Sequence, residues 1–280
     1  MSYIFVGGAQ RSGTSLVAAS LCSGEQTNPY LGESSGFRRL LDAQYFMTHR
    51  FEDESRFHLG SEKALTDYMR TVTRMYLDRT LRNYAPATSL VLKEPHMTSF
   101  FPFLHKMLPE AKFVVVARDP RDTIASMMKV GEKMQEIGTH HMFNSADVDK
   151  LAELVNAFYE VSIKAVQSSD SFRSALRWVK YEDFVSFPLE VVSALRQFTG
   201  LKLEQFDPNY PTKRTLAAKL ASRAQSERAK PWQSKLMSQK EISTSSIGAY
   251  KQQLSAKQIE FIENKLAPVL QMFGYEKTSI

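Results

Sequence analysis

Short apolar runs alternate with longer amphipathic stretches along the whole chain. Four of the runs have the β-branched and aromatic residues of buried strands, and they cover residues 3–6, 89–92, 112–117 and 175–180. The stretches between them have apolar residues at helical spacing, and the clearest cover residues 14–21, 37–84, 98–108, 122–129, 147–167, 188–200 and 255–273. Strands that alternate with helices predict an α/β protein with a parallel sheet.

The run 112–117 is the most strongly strand-like of the four, which is typical of a central parallel strand. No internal repeat or low-complexity tract divides the chain. We therefore expect residues 1–280 to form a single domain, with a mainly parallel sheet of four or five strands flanked by helices. Two segments have no clear period: residues 52–60, whose charges indicate a surface connection, and residues 131–145.

Composition places the chain among ordinary globular proteins, with 43% hydrophobic and 24% charged residues. No apolar run approaches the ~18 residues of a membrane-spanning helix. Met1 and Ser2 lead directly into the first strand, so we expect no signal peptide and a cytoplasmic location. Cys22 is the sole cysteine, which excludes an intrachain disulfide and a cysteine metal cluster, and we expect a buried, inert thiol.

The net charge of +6 is concentrated in one segment. Residues 213–240 contain eight Lys or Arg against the single acid Glu227, for a net charge of +7. A basic segment can attract an acidic cofactor, an acidic substrate or a nucleic acid. The alternative is a solvated helix face without a ligand.

The turn between the first strand and the first helix has the residues of an anion site. Three glycines tolerate positive φ and let backbone N–H groups approach a ligand, and three hydroxyls lie at the helix start; these residues are Gly7, Gly8, Gly13, Ser12, Thr14 and Ser15. The helix dipole and the unpaired N–H groups of the first turn both favour a phosphate.

The spacing from Gly8 to Gly13 matches the Walker A pattern G-x-x-x-x-G-K-S/T, but Thr14 stands at the lysine position. This substitution argues against an ordinary ATPase or GTPase. The basic residue is Arg11 instead, inside the loop, where its guanidinium would face the terminal group of a ligand. The alternative is a tight strand–helix turn with no ligand.

The segment Gln-Arg-Ser-Gly-Thr-Ser at residues 10–15 resembles the 5′-phosphosulfate loop of sulfotransferases that use 3′-phosphoadenosine-5′-phosphosulfate (PAPS). The version P-R-S-G-T-S/T occurs in tyrosylprotein sulfotransferases and many bacterial relatives, and Gln10 replaces its proline here. The resemblance implies a P-loop-like three-layer fold. It also implies that the loop binds the donor through Gly8, Gln10, Arg11, Ser12, Gly13, Thr14 and Ser15.

A second motif follows the third strand, where Arg118 begins the pattern R-D-P-R-D-x-I/V-x-S and Ser126 ends it. The eight-residue spacing resembles that of the arginine and serine that hold the 3′-phosphate of PAPS in sulfotransferases. An arginine at a strand end offers a bidentate fork, and a serine on the next helix adds a hydroxyl donor. The alternative is a strand–helix turn with incidental charges.

The second strand ends in Lys93-Glu-Pro-His96, at the edge where parallel sheets bind ligands. It resembles the K-D-P or K-S/T-P of tyrosylprotein and glycan sulfotransferases, in which the lysine assists sulfuryl transfer. Glu33 follows Arg11 by 22 positions, about where a glutamate is the catalytic base in that group. Glu33 could instead stabilise the start of the next helix. His96 is a second candidate base, or a surface histidine.

Two further segments resemble parts of the donor site. Tyr181 begins a Y-E-D triplet whose tyrosine contacts the adenine in the family, although a tyrosine packed at a strand end is the alternative. Residues 243–251 resemble the C-terminal cofactor segment, but the Arg-Lys pair is missing and Tyr250 replaces a tryptophan. Hydroxyls that could complete the 3′-phosphate pocket belong to Thr244, Ser245 and Ser246.

Together these motifs predict a sulfotransferase that transfers the sulfuryl group of PAPS to an acceptor hydroxyl and releases adenosine-3′,5′-bisphosphate. The predicted catalytic residues are Arg11, Glu33 and Lys93, with no metal. Segment 131–145 is predicted to be mobile and to lie over the acceptor site. We expect a hydroxyl-bearing acceptor and no nucleic-acid partner, and the oligomeric state stays open.

Two other functions stay open at this point. A P-loop nucleotide kinase or NTPase is disfavoured by Thr14 and by the lack of a strand that ends in a Walker B aspartate. A non-catalytic protein that binds polyanions through its basic segment would show steep salt dependence of binding without turnover.

Overall fold

One all-parallel sheet organises residues 1–145, 147–209 and 242–278, which the computed structural model describes. Its strands are β1 (Ser2–Gly8), β2 (Ser89–Lys93), β3 (Lys112–Ala117) and β4 (Leu176–Lys180), in the order β2-β1-β3-β4. Every neighbouring pair is parallel. The predicted α/β class and the four strand positions are confirmed.

The helices that cover this sheet are, in chain order, α1 (Thr14–Leu21), α2 (Ser35–His49), α3 (Arg56–Leu59), α4 (Glu62–Arg82), α5 (Phe101–Met107), α6 (Pro120–Glu136), α7 (Val148–Ser168), α8 (Asp170–Ala175), α9 (Tyr181–Ser186), α10 (Pro188–Thr199), α11 (Ala256–Lys265) and α12 (Ala267–Phe273). Short 3₁₀ turns occupy Pro95–Phe100, Met142–Ser145 and Ala249–Gln252, and a π-helical turn occupies Phe51–Ser55.

The core has two parts because successive strand residues point to opposite faces of the sheet. Ile4 and Val114 pack on one face with apolar residues of α1, α9 and α10. Phe5 and Phe113 pack on the other face with residues of α4, α5, α7, α11 and α12. The resulting helix–sheet–helix arrangement is the predicted three-layer architecture.

The strand order reverses between β1 and β3, and this reversal creates a crevice at the carboxyl ends of the strands. In the register, Val6 pairs with Lys93, Gly8 with Val116 and Ala117 with Lys180. The segments that leave the four strands therefore meet at one edge of the sheet. In open α/β sheets this is where ligands bind.

Two predicted helix bounds are wrong. The helix expected over residues 122–129 extends from Pro120 to Glu136 and includes Gly131. A Cβ at position 131 would stand 2.0 Å from the carbonyl oxygen of Phe143, so this position of the helix requires glycine. The closing helix expected over 255–273 is divided into α11 and α12. Pro268 in the first turn of α12 explains the break, since proline removes a helical N–H donor.

Two further segments differ from their prediction in detail. The charged connection at residues 52–60 forms the π-helical turn and α3, both largely exposed. The helix expected at 98–108 is a 3₁₀ turn followed by α5.

Three expectations concern features outside the sheet. Cys22 is buried, as predicted. None of the helices in the described ranges is long and apolar enough to cross a membrane. The basic segment at residues 213–240 lies outside the described residues.

Candidate functional site

The loop between β1 and α1 is held at its start by two side chains from the layer that contains α7. The Gly8 amide donates to Thr98 Oγ1 at 2.7 Å, and the Ala9 amide donates to the Tyr159 hydroxyl at 3.3 Å. That hydroxyl donates in turn to the Val116 carbonyl at 3.1 Å. Burial raises the pKa of Tyr159 to about 12, so it is a neutral donor at pH 7. The loop is therefore fixed where it leaves the sheet and runs into the N-terminus of α1.

Gly13, the N-cap of α1, lies against the ring of Tyr181. Its φ is 98°, in the left-handed region that favours glycine. A Cβ at this position would stand 2.4 Å from Cδ2 of Tyr181, closer than any real contact allows. Glycine is thus required at position 13 for the loop and the tyrosine ring to pack together.

Arg11 crosses from the loop to α6. Its Nε donates to Ser126 Oγ at 3.2 Å, and its own φ of 70° places a non-glycine residue in the left-handed region. Burial, and then the nearby charge of Arg118, lower the pKa of Arg11 to about 10. It remains a cation at pH 7, held close to a second cation, and such a pair is stabilised by an anion.

Arg118 leaves β3 and bridges the loop to the C-terminal part of the chain. Its Nη1 donates to the Arg11 carbonyl at 3.0 Å, and its Nη2 donates to the Ser246 carbonyl at 2.7 Å. Its guanidinium carbon lies 4.7 Å from the centre of the Tyr181 ring. The buried Nε of Arg118 has no hydrogen-bond partner among the described residues. An anionic ligand would supply that partner.

The segment with Ser246 is anchored to α6 by Asp122. Oδ2 of Asp122 accepts from the Gly248 amide at 2.8 Å, and Oδ1 accepts from the Tyr250 amide at 2.9 Å. Ser246 Oγ shares a 2.8 Å hydrogen bond with the Tyr181 hydroxyl. Asp122 thereby places Ser246 over the strand ends.

Lys93, at the end of β2, forms an ion pair with Glu33. Its Nζ lies 2.8 Å from Glu33 Oε1; the lysine side chain is 5% exposed and the glutamate side chain 45%. The Ser34 amide donates to the Lys93 carbonyl at 2.9 Å, which fastens the segment with Glu33 to the strand. Burial alone would lower the pKa of Lys93, but Tyr30 and Glu33 outweigh it and the pKa is raised. Lys93 is therefore a buried cation at the sheet edge.

Two titratable residues follow Lys93. Glu94 is buried, and burial, and then the charge of Glu33, raise its pKa to about 7. Burial, and then the charge of Arg38, lower the pKa of His96, so its imidazole is neutral at pH 7. The neutral imidazole of His96 and the exposed carboxylate of Glu33 are thus both available as bases.

The segment after α6 lines a cavity of about 630 Å³ with residues of α7. Its lining includes His140, His141, Met142, Leu151 and Leu154. The charge of His141 contributes to the lowered pKa of His96, so the two histidines lie within electrostatic reach of each other. The cavity is open, and its size is that of a small-molecule site.

Comparison with known proteins agrees with this geometry. The family model described as "Sulfotransferase family" matches residues 3–205, well over half of the chain. The chain belongs to the sulfotransferase family. The predicted family is therefore confirmed. PAPS is the sulfuryl donor of these enzymes, which agrees with the predicted donor.

Curated relatives of this sulfotransferase are named as protein-tyrosine sulfotransferases. Protein-tyrosine sulfotransferase 2 of Gallus gallus is 24% identical over 204 residues, which are 72% of this chain and 52% of the relative. Protein-tyrosine sulfotransferase 1 of Homo sapiens is 27% identical over 136 residues, 46% of this chain and 34% of the relative. The chain spans about half the length of the first relative and a third of the second.

Two solved sulfotransferase domains share the fold. One, from the Curacin biosynthetic pathway, has a TM-score of 0.62 at 16% identity, with 99% of both chains covered. The other, from the Synechococcus PCC 7002 olefin synthase, has a TM-score of 0.58 at 14% identity, with 98% of this chain and 94% of that chain covered. The predicted P-loop-like fold is confirmed.

The structure brings five of the predicted donor-site residues of the sulfotransferase into one cluster. Arg11, Ser126, Arg118, Tyr181 and Ser246 are joined by the contacts given above. Arg11 lies against Ser126, the residue predicted for the 3′-phosphate, and its role towards the sulfuryl group stays a prediction.

Ser245 is outside this cluster. It is exposed, and its hydroxyl accepts a hydrogen bond from Ser243 at 3.0 Å. Ser246 is thus the serine of the pair that contacts the other donor-site residues.

Several residues with a place in this site were not singled out from the sequence. Thr98 and Tyr159 hold loop amides, Asp122 anchors the C-terminal segment, and Glu94 lies beside the ion pair. Asp122 is part of the R-D-P-R-D pattern, and this membership is the signal that could have identified it.

Proposed function

We propose that this chain transfers the sulfuryl group of PAPS to a hydroxyl group of an acceptor. The observation that carries the proposal is the pair of neighbouring arginines, Arg11 and Arg118, at the carboxyl ends of β1 and β3. The charge of Arg118 lowers the pKa of Arg11, so the two cations lie close together, and Arg118 Nε is buried without a hydrogen-bond partner among the described residues. Such a cationic site fits the phosphates of the donor, and Ser126 and Ser246 lie beside it.

The residues of the chain divide the chemistry between them. PAPS supplies a sulfuryl group on a good leaving group, so the protein needs to bind, orient and stabilise charge. Glu33 accepts the proton of the acceptor hydroxyl, and His96 is the second candidate for this role. Lys93 keeps the Glu33 carboxylate in place and supplies positive charge at the sheet edge.

The acceptor enters, in this proposal, from the side of His96 and the 630 Å³ cavity lined by segment 138–144. Tyrosine-containing peptides are the first acceptors to test, because the curated relatives are named as protein-tyrosine sulfotransferases. Sugars and small hydroxylated metabolites come next. A cytoplasmic location stays a prediction of the sequence.

Calorimetric titration tests the donor site without knowledge of the acceptor. Adenosine-3′,5′-bisphosphate should bind at least about tenfold more tightly than 5′-AMP or ATP. Arg118→Ala should weaken that binding by roughly 10- to 100-fold, since a charge-assisted pair contributes about 1.5–3 kcal/mol. Arg196→Ala, which removes an exposed arginine paired with Glu204, is the matched control. Equal affinities for the bisphosphate and 5′-AMP would refute the proposal.

A further inference from the structure

Glu94 is a buried carboxyl to which the proposed mechanism gives no role. The residue is 4% exposed, and its Oε2 is buried without a hydrogen-bond partner among the described residues. Its amide donates to the Val6 carbonyl at 3.2 Å, so the sheet itself places Glu94 at the carboxyl end of β2. A buried polar atom without a partner costs free energy, and the positive charge of the neighbouring Lys93 offsets part of that cost.

The groups that act on Glu94 come from four elements. Lys93 comes from β2, Glu33 from the segment before α2, Arg38 from α2, and the Met97 amide from the 3₁₀ turn. Lys93 already pairs with Glu33 at 2.8 Å, and Arg38 pairs with Asp42 at 3.1 Å. The positive charge of Lys93 therefore acts on two carboxyls, Glu33 and Glu94. An ionised Glu94 would be a second negative charge at the edge where the donor binds.

We propose that Glu94 takes up a proton when PAPS binds, so that Lys93 faces the anionic sulfuryl group without a second carboxylate opposing it. This inference rests on the proposed function, because it needs PAPS as the ligand. The proton comes from the buffer and is held on the Glu94 carboxylate, and no covalent bond of the donor changes. Protonation of Glu94 thus removes one negative charge from the site when the anionic donor binds.

The direction of the pH effect follows from linkage between binding and protonation. The free protein holds Glu94 at a pKa of about 7, and an added anion nearby raises that pKa further. The complex then binds more protons than the free protein, so affinity for PAPS falls as pH rises above about 7. Each unit by which binding raises the pKa of Glu94 corresponds to a tenfold change in affinity.

The two histidines near Glu94 and the 3′-phosphate of the donor titrate outside this window. Burial lowers the pKa values of His96 and His141, so both histidines are neutral above pH 7. Phosphate monoesters lose their second proton near pH 6, so the 3′-phosphate is fully charged above pH 7. A titration between about pH 7 and 9 that depends on the sulfuryl group therefore points to Glu94.

The test is calorimetric titration of the full chain with PAPS from pH 6.5 to 9, in two buffers of different ionisation enthalpy. In the wild type we expect affinity to fall by about tenfold over this range, with proton uptake near pH 7.5. Glu94→Gln keeps the shape and removes the titration, and it should hold affinity within about twofold with no uptake. Glu110→Gln, an exposed residue paired with Arg74, is the control and should behave as the wild type.

The outcomes separate this inference from the proposed function. If PAPS fails to bind the wild type at pH 6.5, the proposed function is wrong. If PAPS binds with a pH-independent affinity and no proton uptake, or if uptake persists in Glu94→Gln, the role of Glu94 is refuted and the function stands. If Glu94→Gln does not fold, Glu33→Gln replaces it. Loss of that neighbouring charge should shift proton uptake to lower pH, and an unchanged window would refute the role.

Discussion

The ring of Tyr181 fills the space in which a side chain at position 13 would begin. Because Gly13 also has a positive φ, two separate physical constraints act on the same residue. Gly60 shares the positive φ, but a Cβ there would have no neighbour within 4 Å. The chain thus contains a natural comparison between backbone strain alone and strain combined with a steric clash.

Replacement of Gly13 by alanine should damage both stability and donor binding. We expect Gly60→Ala to cost about 1 kcal/mol through its left-handed backbone alone. Gly13→Ala should cost about 2–4 kcal/mol and weaken binding of adenosine-3′,5′-bisphosphate by at least tenfold, because Tyr181 and Arg118 must move. Urea unfolding and calorimetry measure the two effects. Equal losses in both variants would show that the contact with Tyr181 has no energetic importance.

The choice of base between Glu33 and His96 can be decided with two isosteric variants. Glu33→Gln should lower kcat by roughly 10²-fold or more, because it removes a proton acceptor, while affinity for adenosine-3′,5′-bisphosphate changes little. His96→Asn should have a much smaller effect on kcat. Steady-state kinetics with any accepted hydroxyl compound make the comparison, and the reverse order of effects would assign the base to His96.

The first turns of α6 contact both halves of the proposed donor site. Ser126 contacts Arg11 of the loop, and Asp122, one turn earlier, holds the amides of Gly248 and Tyr250. One helix thereby sets the distance between the phosphate loop and the C-terminal segment. A shift of this helix would move both.

Asp122→Asn tests whether the C-terminal segment depends on this helix. Asparagine has one carbonyl oxygen, so one of the two amides would lose its acceptor, at a cost of about 1.5–3 kcal/mol for a bond to a charged group. We expect affinity for adenosine-3′,5′-bisphosphate to fall by about tenfold while circular dichroism stays unchanged. Asp170→Asn, at an exposed surface pair, is the control. Unaltered affinity in Asp122→Asn would exclude this anchoring role.

Elements whose residues are close in sequence were predicted well. The strands β2 and β3 depend on local apolarity, which a single sequence displays. The donor-binding roles of the Arg11 loop and of the Arg118/Ser126 pair stay predictions. The length of α6 was not predicted, because residues 131–145 show no clear period. Glycine is required at position 131 of the helix because the backbone of Phe143 approaches it closely, and this is a tertiary contact.

Side chains that support the site from a distance could not be predicted. Thr98 and Tyr159 lie 90 and 150 residues from the amides that they hold. Asp122 lies 126 residues from Gly248. Such pairs form only when the sheet and helices have packed, and no spacing rule records them. Glu94 was missed for a similar reason, since its significance comes from burial beside Glu33.

A buried charge network connects the start of α6 with the C-terminal part of the molecule. Arg121, whose side chain is 5% exposed, pairs with Asp119 at 2.7 Å and with Glu263 of α11 at 2.5 Å. Its guanidinium carbon also lies 4.6 Å from the centre of the Tyr250 ring. Neutralisation of Glu263 would leave Arg121 paired with Asp119, but it would weaken the hydrogen bonds that the Glu263 carboxylate accepts from Arg121 and from the Thr278 amide.

Glu263→Gln should therefore destabilise the whole molecule. We expect the free energy of unfolding to fall by about 2 kcal/mol, within the range for a hydrogen bond to a charged group. Glu110→Gln breaks an exposed pair with Arg74 and should cost less than about 1 kcal/mol. Urea denaturation compares the two variants. A loss in Glu263→Gln no larger than that in Glu110→Gln would contradict this account.

The hydrogen bond from Arg118 to the carbonyl of Ser246 spans 128 residues. A ribosome that adds ~5–20 residues per second makes Ser246 about 6–25 s after Arg118. By then the four strands of the described sheet have been synthesised, so the sheet can assemble before the proposed donor site is complete. During translation, the proposed nucleotide site can therefore be completed only after residue 246 has been made, later than the sheet on which it is built.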